Sequence, residues 1–551
     1  MQSAQVHVPQ HSKSVAAPIA GRNFVLLGGM FALGFALRLF NAGYRFLNAD
    51  EALHYLLSVQ NSAFAAYRAS LTTVHPPLFI LWLHYWGKLG HSEFFLRFPC
   101  VVAGTLFCWV MFCWLRRVTN ESVAILGVAL FLFSPPLVQF SAELRQYAFL
   151  WLFCSLSLYY LERALADASI PMMALSSVAL YLALLTHYSA LIFALTLGVY
   201  ALVRFASPRP CFGLLATWIV GQMLALALVA WLFLHHISKI ESSGQAESIA
   251  DSYLSRSVLH PGQNPLWFIG RSNLRLFHFF FAQGAVGVVG LLLFAAAIVF
   301  LLRGRSRALR SEATPRQLAF LLLFPLLVNC VLGLLHLYPY GGTRHNSYLS
   351  VFVYTGIAVA LARWKPARIW LKPASVGAVL LVCNLFPSNI DQYIRLHSQK
   401  RRLIHKAVTE LRSTPADSIV FTDDQGGLLL SYYMCGSKVV QIEEHPFKDF
   451  MWARCGNHSV ISIDPDEWTF KTSTFADTLR KVQDRYHLNP RSKLWLFQAG
   501  WFIDKDGPLH AEFAQYGCPA PQFYGHNILI CQIEVPDRVP QFFLDRQKPG
   551  K

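Results

Sequence analysis

Charge is scarce in this sequence. Only 14% of its 551 residues are Asp, Glu, Lys or Arg, where an ordinary soluble domain carries about 25%. Acid is scarcer than base, with 30 Asp+Glu against 47 Lys+Arg. There is no low-complexity tract and no short-period repeat, and the eleven cysteines lack the spacing of a zinc site. These absences exclude a disordered chain, a fibre and a single cytosolic domain. What replaces charge is apolar surface: 54% of residues are hydrophobic, 14% are aromatic, and the mean hydropathy is +0.39. A polytopic membrane protein with a soluble remainder fits.

The net charge of +17 raises the question of nucleic acid, and its location answers it. A polar leader and five short segments between apolar runs hold sixteen basic residues, among them Arg116, Arg117, Arg163, Arg204, Arg303 to Arg316 and Arg363 to Lys372, against four acidic ones. The positive-inside rule places all of these segments in the cytoplasm. The charge reports topology, and no nucleic-acid partner is expected.

Eleven apolar runs predict membrane helices near 23–41, 93–115, 122–138, 146–161, 172–186, 188–204, 212–235, 284–302, 317–337, 346–362 and 373–388. A cytoplasmic N-terminus then puts the C-terminus outside. Pro76 to Leu89 reads as an interfacial or re-entrant helix, and Glu51 to Tyr67 as a helix lying at the surface. From residue 389 the pattern changes. A basic helix, about Asp391 to Arg412, precedes strand-like runs at 418–422, 438–442, 460–463, 494–497 and 528–535, with helical stretches at 426–434 and 475–486. The expected fold is therefore a polytopic α-helical membrane protein of about eleven helices with a C-terminal extracytoplasmic α/β domain. Residues 1–22 form a cytoplasmic leader, 23–388 the transmembrane domain and 389–551 the exported domain. Cys435, Cys455, Cys518 and Cys531 fall in the exported part, where oxidation permits two disulfides in any of three pairings.

With this topology, the unusual polar residues collect on the outer side. They are Asp50 and Glu51, His75 in a His-Pro-Pro turn, Glu143 and Arg145 after Ser134-Pro135-Pro136, His187 and Tyr188, and Arg344 and His345 after Gly341-Gly342. Ionisable groups at membrane depth are costly and mark function. Each has a plain alternative as well. Asp50 and Glu51 suit a helix N-cap, Glu143 and Arg145 a solvated interfacial pair, His187 a satisfied interfacial imidazole, Arg344 a surface anchor, and Asp423-Asp424 the cap of the next helix.

Taken together, the acidic pair, His-Pro-Pro-Leu, Ser-Pro-Pro…Glu-x-Arg-x-Tyr, Thr-His-Tyr and Gly-Gly-Thr-Arg-His resemble the GT-C glycosyltransferases. The bacterial family-39-like group, similar to protein O-mannosyltransferases and to the lipid A aminoarabinose transferase, is the nearest, over about residues 20–390. The resemblance implies a membrane enzyme of the cell inner membrane. It would transfer a hexose or pentose from a polyprenyl-phosphate-linked donor to a hydroxyl of a lipid, glycan or protein acceptor on the extracytoplasmic face. It also implies that Asp50 acts at the acceptor hydroxyl with Glu51 as neighbour. Chemistry agrees: a carboxylate serves as general base, and Arg344 can fork onto two oxygens of the leaving phosphate. His345, Arg145, His187, Tyr188 and His75 are further candidates for donor binding, and Glu143 is a candidate acidic partner. A single displacement inverts the anomeric centre. No nucleotide-binding fingerprint sits in a suitable context, which argues against a nucleotide-sugar donor. No obligatory cofactor is expected; a divalent metal on Glu143, Asp50 and a histidine stays open, without ligand spacing to support it. The competing readings are a lipid or solute transporter, and a membrane-anchored sensory protein whose exported domain binds a ligand.

Overall fold

A computed structural model describes residues 21–206, 211–239, 254–304, 313–363, 371–388, 399–436, 451–463, 470, 475–501, 503 and 508–537. Helices α1 (Gly21–Tyr44), α2 (Ala49–Ser58), α3 (Ala63–Ser70), α4 (Leu78–Trp86), α5 (Glu93–Val118), α6 (Glu121–Phe133), α7 (Pro135–Ser141) and α8 (Tyr147–Asp167) lead into α9 (Ile170–Leu184), α10 (Ala190–Phe205) and α11 (Phe212–Leu232). Then come α12 (Pro265–Phe281), α13 (Gly284–Leu302), α14 (Pro315–Leu334), α15 (Ser350–Arg363) and α16 (Leu371–Leu385). Every apolar run read as a span falls on one of these helices. Among the described residues, five are long and apolar enough to cross a membrane: Asn23–Tyr44, Glu93–Val118, Phe212–Ile237, Gly284–Leu302 and Pro315–Leu334. Their outward faces stay apolar, as lipid requires; Phe40, Trp109, Met223, Leu292 and Val331 are all exposed.

Two helical expectations need correction. The run 122–138 is not one straight span. Leu130 O bonds Ser134 N, but Pro135 and Pro136 have no N–H to continue the ladder, and α6 meets α7 at a 58° bend. The helix expected from Glu51 to Tyr67 is two helices, broken at residues 59–62, and the first is not at the surface: all ten residues of α2 are buried. Asn48 starts it with a capping box, accepting from Glu51 N at 3.0 Å while Glu51 Oε2 accepts from Asn48 N at 2.9 Å.

The two ends of the bundle differ in chemistry. At the end assigned to the cytoplasm, Arg117 pairs with Asp167 at 2.5 Å and Asn23 donates to Glu121 at 2.6 Å. Deeper at that end, Arg204 meets Glu162 at 2.7 Å beside Tyr200. Asp50, Arg145, Arg344 and the histidines lie together at the other end.

The C-terminal part begins with α17 (Arg401–Arg412), the described portion of the expected basic helix. It continues with β1 (Ile419–Asp423), α18 (Asp424–Tyr433), β2 (Met451–Cys455), β3 (His458–Ile463), α19 (Phe475–Tyr486), β4 (Lys493–Ala499), α20 (Pro508–Gln515), β5 (Gln522–Tyr524) and β6 (Ile528–Glu534). The strand expected at 438–442 lies outside the described residues. The sheet order is β2-β3-β1-β4-β6-β5, with β3, β1 and β4 parallel and the flanking strands antiparallel. Asp423 caps α18, accepting from Gly426 N at 2.9 Å. Cys435 pairs with Cys455 and Cys518 with Cys531, which selects one of the three pairings.

This domain is fastened to the helix that carries Asp50. Phe46 N donates to Gln399 O at 3.0 Å, and Arg45 and Lys400 form an antiparallel bridge. Leu47 N donates to the Tyr433 hydroxyl at 2.7 Å, and that hydroxyl donates to Glu93, which also binds Arg401. The Tyr55 and Tyr432 rings meet edge to face at 5.0 Å.

Candidate active site

The capping box turns the first residues of α2 inward. Asp50, 6% exposed, places Oδ2 between two guanidiniums, 2.6 Å from Arg145 Nη1 and 2.5 Å from Arg344 Nη1. Arg145 comes from the turn between α7 and α8. Arg344 opens the short 3-10 turn Arg344–Leu349, and 20% of its side chain is exposed. The chain reaches that turn through Gly341, at φ +132°, and Gly342, where a Cβ would lie 2.4 Å from Arg275 O. Glycine is the residue that permits so close an approach.

Four imidazoles run alongside this trio. The His54 and His75 ring centres are 5.6 Å apart, those of His75 and His187 5.7 Å, and those of His187 and His345 6.0 Å. Arg145 Nη2 lies 3.3 Å from His75 Nε2, and its guanidinium sits 5.7 Å from the Tyr147 ring centre. Burial and then Arg145 push His54 and His187 down to about 3, and His75 and His345 lie well below the usual imidazole range for the same reasons, with Arg344 adding to His345. At neutral pH they are hydrogen-bonding groups rather than cations. Burial alone raises the Asp50 carboxyl, but Arg145 and Arg344 outweigh it and hold Asp50 well below the carboxylate range.

Glu51 sits beside Asp50 in a closed arrangement. Arg97 Nε and Nη2 each donate to it at 2.7 Å, and Leu144 N donates at 2.6 Å. The remaining donors of Arg97 go to the carbonyls of Ala42, Arg45 and Phe46. Glu51 therefore ties α2 to α5 and to the loop that carries Arg145.

The overall fold matches known structures. ArnT from Cupriavidus metallidurans bound to undecaprenyl phosphate matches with a TM-score of 0.53 at 13% identity, over 93% of this chain and 98% of that one. Apo ArnT from the same organism gives 0.53 at 14% identity with the same coverage. The chain therefore shares the fold of ArnT. Residues 74–233 match the family described as dolichyl-phosphate-mannose-protein mannosyltransferase. The oligosaccharyltransferase of Archaeoglobus fulgidus, in its apo form, gives a TM-score of 0.45 at 11% identity, over 86% of this chain and 69% of that one. No curated protein sequence matches the chain.

Within this fold, the residues singled out by sequence divide into groups. Asp50, Arg145, Arg344, His75, His187 and His345 converge. Glu143 is buried and accepts from Gln139 at 3.1 Å, while Arg145 is buried on Asp50, so the two do not form a solvated pair. Tyr188 turns elsewhere: His236 Nε2 donates to Thr73 O at 2.7 Å, which leaves Nδ1 to accept from the Tyr188 hydroxyl at 2.5 Å. Sequence reading missed Arg97 and His54. A guanidinium inside an apolar span was the available signal for Arg97. For His54 the signal was its place one helical turn after Asp50, where Nδ1 donates to Asp50 O at 2.7 Å. Among the described residues, no group of three or more His, Cys, Asp or Glu is spaced to hold a metal ion.

Proposed function

We propose that the protein is a glycosyltransferase that moves a sugar from a polyprenyl-phosphate donor to an acceptor hydroxyl on the extracytoplasmic face, with inversion. The carrying observation is one buried carboxylate oxygen shared by two guanidiniums, one of them reaching the surface. A guanidinium that reaches the surface beside a shared carboxylate can turn to an incoming anion, and its fork fits a phosphate. The undecaprenyl phosphate in the ArnT structure supports a lipid-phosphate donor here. Two disulfides in the C-terminal domain fit an oxidising compartment, and the basic segments at the opposite end fit the cytoplasm.

In this reading the donor phosphate takes Arg344 from Asp50. The carboxylate then loses one of the charges that suppress its basicity, so donor binding itself makes Asp50 a better base. The acceptor oxygen attacks the anomeric carbon, its proton passes to Asp50, and the bond from that carbon to the phosphate oxygen breaks. Arg344 and Arg145 meet the charge that develops on the leaving phosphate. The neutral imidazoles offer one donor and one acceptor each, which suits sugar hydroxyls better than a second phosphate. Glu51 and Arg97 hold α2 in place while this happens.

The test uses membranes containing the full chain, supplied with polyprenyl phosphates carrying radiolabelled hexoses or pentoses. Label should pass to a lipid, glycan or protein fraction. If labelled lipid changes leaflet with its sugar still attached, the protein is a transporter and the proposal is wrong.

A further inference from the structure

The C-terminal domain presents one side chain to this site. Trp501 lies just past the carboxyl end of β4, beside the carboxyl end of the parallel strand β1, which is where open α/β sheets place their functional loops. The Arg344 guanidinium is 6.0 Å from the centre of the Trp501 ring, within reach of a cation–π contact.

The loop that carries Trp501 is held from within its own domain. Trp501 N donates to Gln425 Oε1 at 3.1 Å, and Asn527 Nδ2 donates to Gly500 O at 3.1 Å and to Trp501 O at 2.6 Å. Gly500 makes room for Gln425: a Cβ there would stand 2.0 Å from its Oε1. Asn527 is buried and Gln425 half-buried, and the Trp501 ring is only partly covered and, among the described residues, joins none of the hydrophobic cores. An aromatic kept for packing would be inside one of them. α18, which begins beside Gln425, belongs to the same segment whose Tyr432 and Tyr433 grip α2 and the chain near Glu93. The domain thus holds Asp50 through its helix and faces Arg344 with a ring.

We propose that Trp501 is a positioning residue for glycosyl transfer, setting the plane of the Arg344 guanidinium so that its fork meets the donor phosphate. Arg344 is held on two sides, by the Asp50 carboxylate and by the indole face. When phosphate displaces Asp50, the indole contact stays in place. This rests on the reading of Arg344 as the phosphate ligand.

The experiment measures binding of undecaprenyl phosphate to the purified full-length protein in detergent, and donor KM and kcat in the transfer assay. Trp501→Leu removes the π face and should weaken binding about tenfold, raising KM with kcat little changed. Trp501→Phe keeps a π face and should restore binding to within about twofold. Trp501→Met replaces the Leu variant if the latter does not fold. Arg344→Ala is the control. If Arg344→Ala weakens binding while Trp501→Leu or Trp501→Met binds as the wild type, Trp501 is an interface side chain, and the inference fails with the phosphate reading intact. If Arg344→Ala also binds as the wild type, the phosphate reading fails and this inference goes with it.

Discussion

Glu51 and Asp50 stand side by side at the start of α2, and the chain surrounds them differently. Glu51 meets one guanidinium, Arg97, in a two-armed fork, and backbone N–H groups of Asn48 and Leu144 complete its shell. Glu162, at the far end of the bundle, repeats the pattern with Arg204 and the Tyr200 hydroxyl. Asp50 meets two guanidiniums on one oxygen, and one of those, Arg344, is partly open to solvent. A balanced, enclosed pair holds architecture. A carboxylate shared between two cations at an opening can exchange partners with an incoming anion. Desolvation penalises both kinds of site; stoichiometry and access separate them.

Breaking the closed pair should have the largest effect. Arg97→Ala strands Glu51 without its cation and should cost about 3–5 kcal/mol of stability, read as a lowered melting transition in detergent. An unchanged transition would mean that the Glu51 shell holds nothing.

Asp50→Asn should act on turnover, with a loss of about 10²-fold or more. It should also tighten binding of undecaprenyl phosphate, because the phosphate no longer competes with a carboxylate for Arg344. Turnover retained near the wild-type rate removes Asp50 as the base. Weaker phosphate binding by folded protein removes the exchange of partners.

Acid should reveal the imidazole row. His54 and His187 have folded values near about 3, against about 6.5 in an unfolded chain. Their contribution to stability is full above about pH 6.5 and is lost as pH falls toward 3, because the unfolded chain takes up protons that the folded one refuses. Each imidazole adds a slope of about 1.4 kcal/mol per pH unit in that window. Melting followed from pH 7 to pH 5 should show the decline, and His187→Asn should make it shallower. A flat profile would show that the row is charged or open to water.

The smallest effect belongs to the far cluster. Glu162→Leu with Arg204→Met removes the pair on both sides and should leave transfer per folded molecule within about twofold, since well-packed apolar replacements of buried pairs are often near neutral. A large loss would mean that the two ends of the bundle are coupled.

The helices were legible because apolar length is a strong local signal; the expectation that Asp50 lies outside rests on the charge of the connecting segments alone. The bend at Ser134 was legible in principle from Pro135 and Pro136, but a hydropathy run passes over prolines without registering them. Glu51 was read as a supporting neighbour of Asp50 at the same site because both are acids in one loop. Their difference lies in Arg97 and Leu144, which are 46 and 93 residues away, and no local pattern carries that. Trp501 gave no signal. Its position follows from how a strand end in one domain meets a turn in the other.

The contact between Asp50 and Arg344 joins residues 294 positions apart, and that between Leu47 and Tyr433 spans 386. Synthesis delivers α2 and its acid early, long before the arginine or the domain that grips the helix has left the ribosome. During that interval Asp50 has no Arg344 to answer it, and burying it would carry the cost of a poorly compensated charge. The nascent loop that carries it therefore has reason to stay at the water interface until the last membrane helices have inserted. Only a finished chain can draw it in. If Asp50 is the base proposed above, its chemistry and the completion of assembly become the same event.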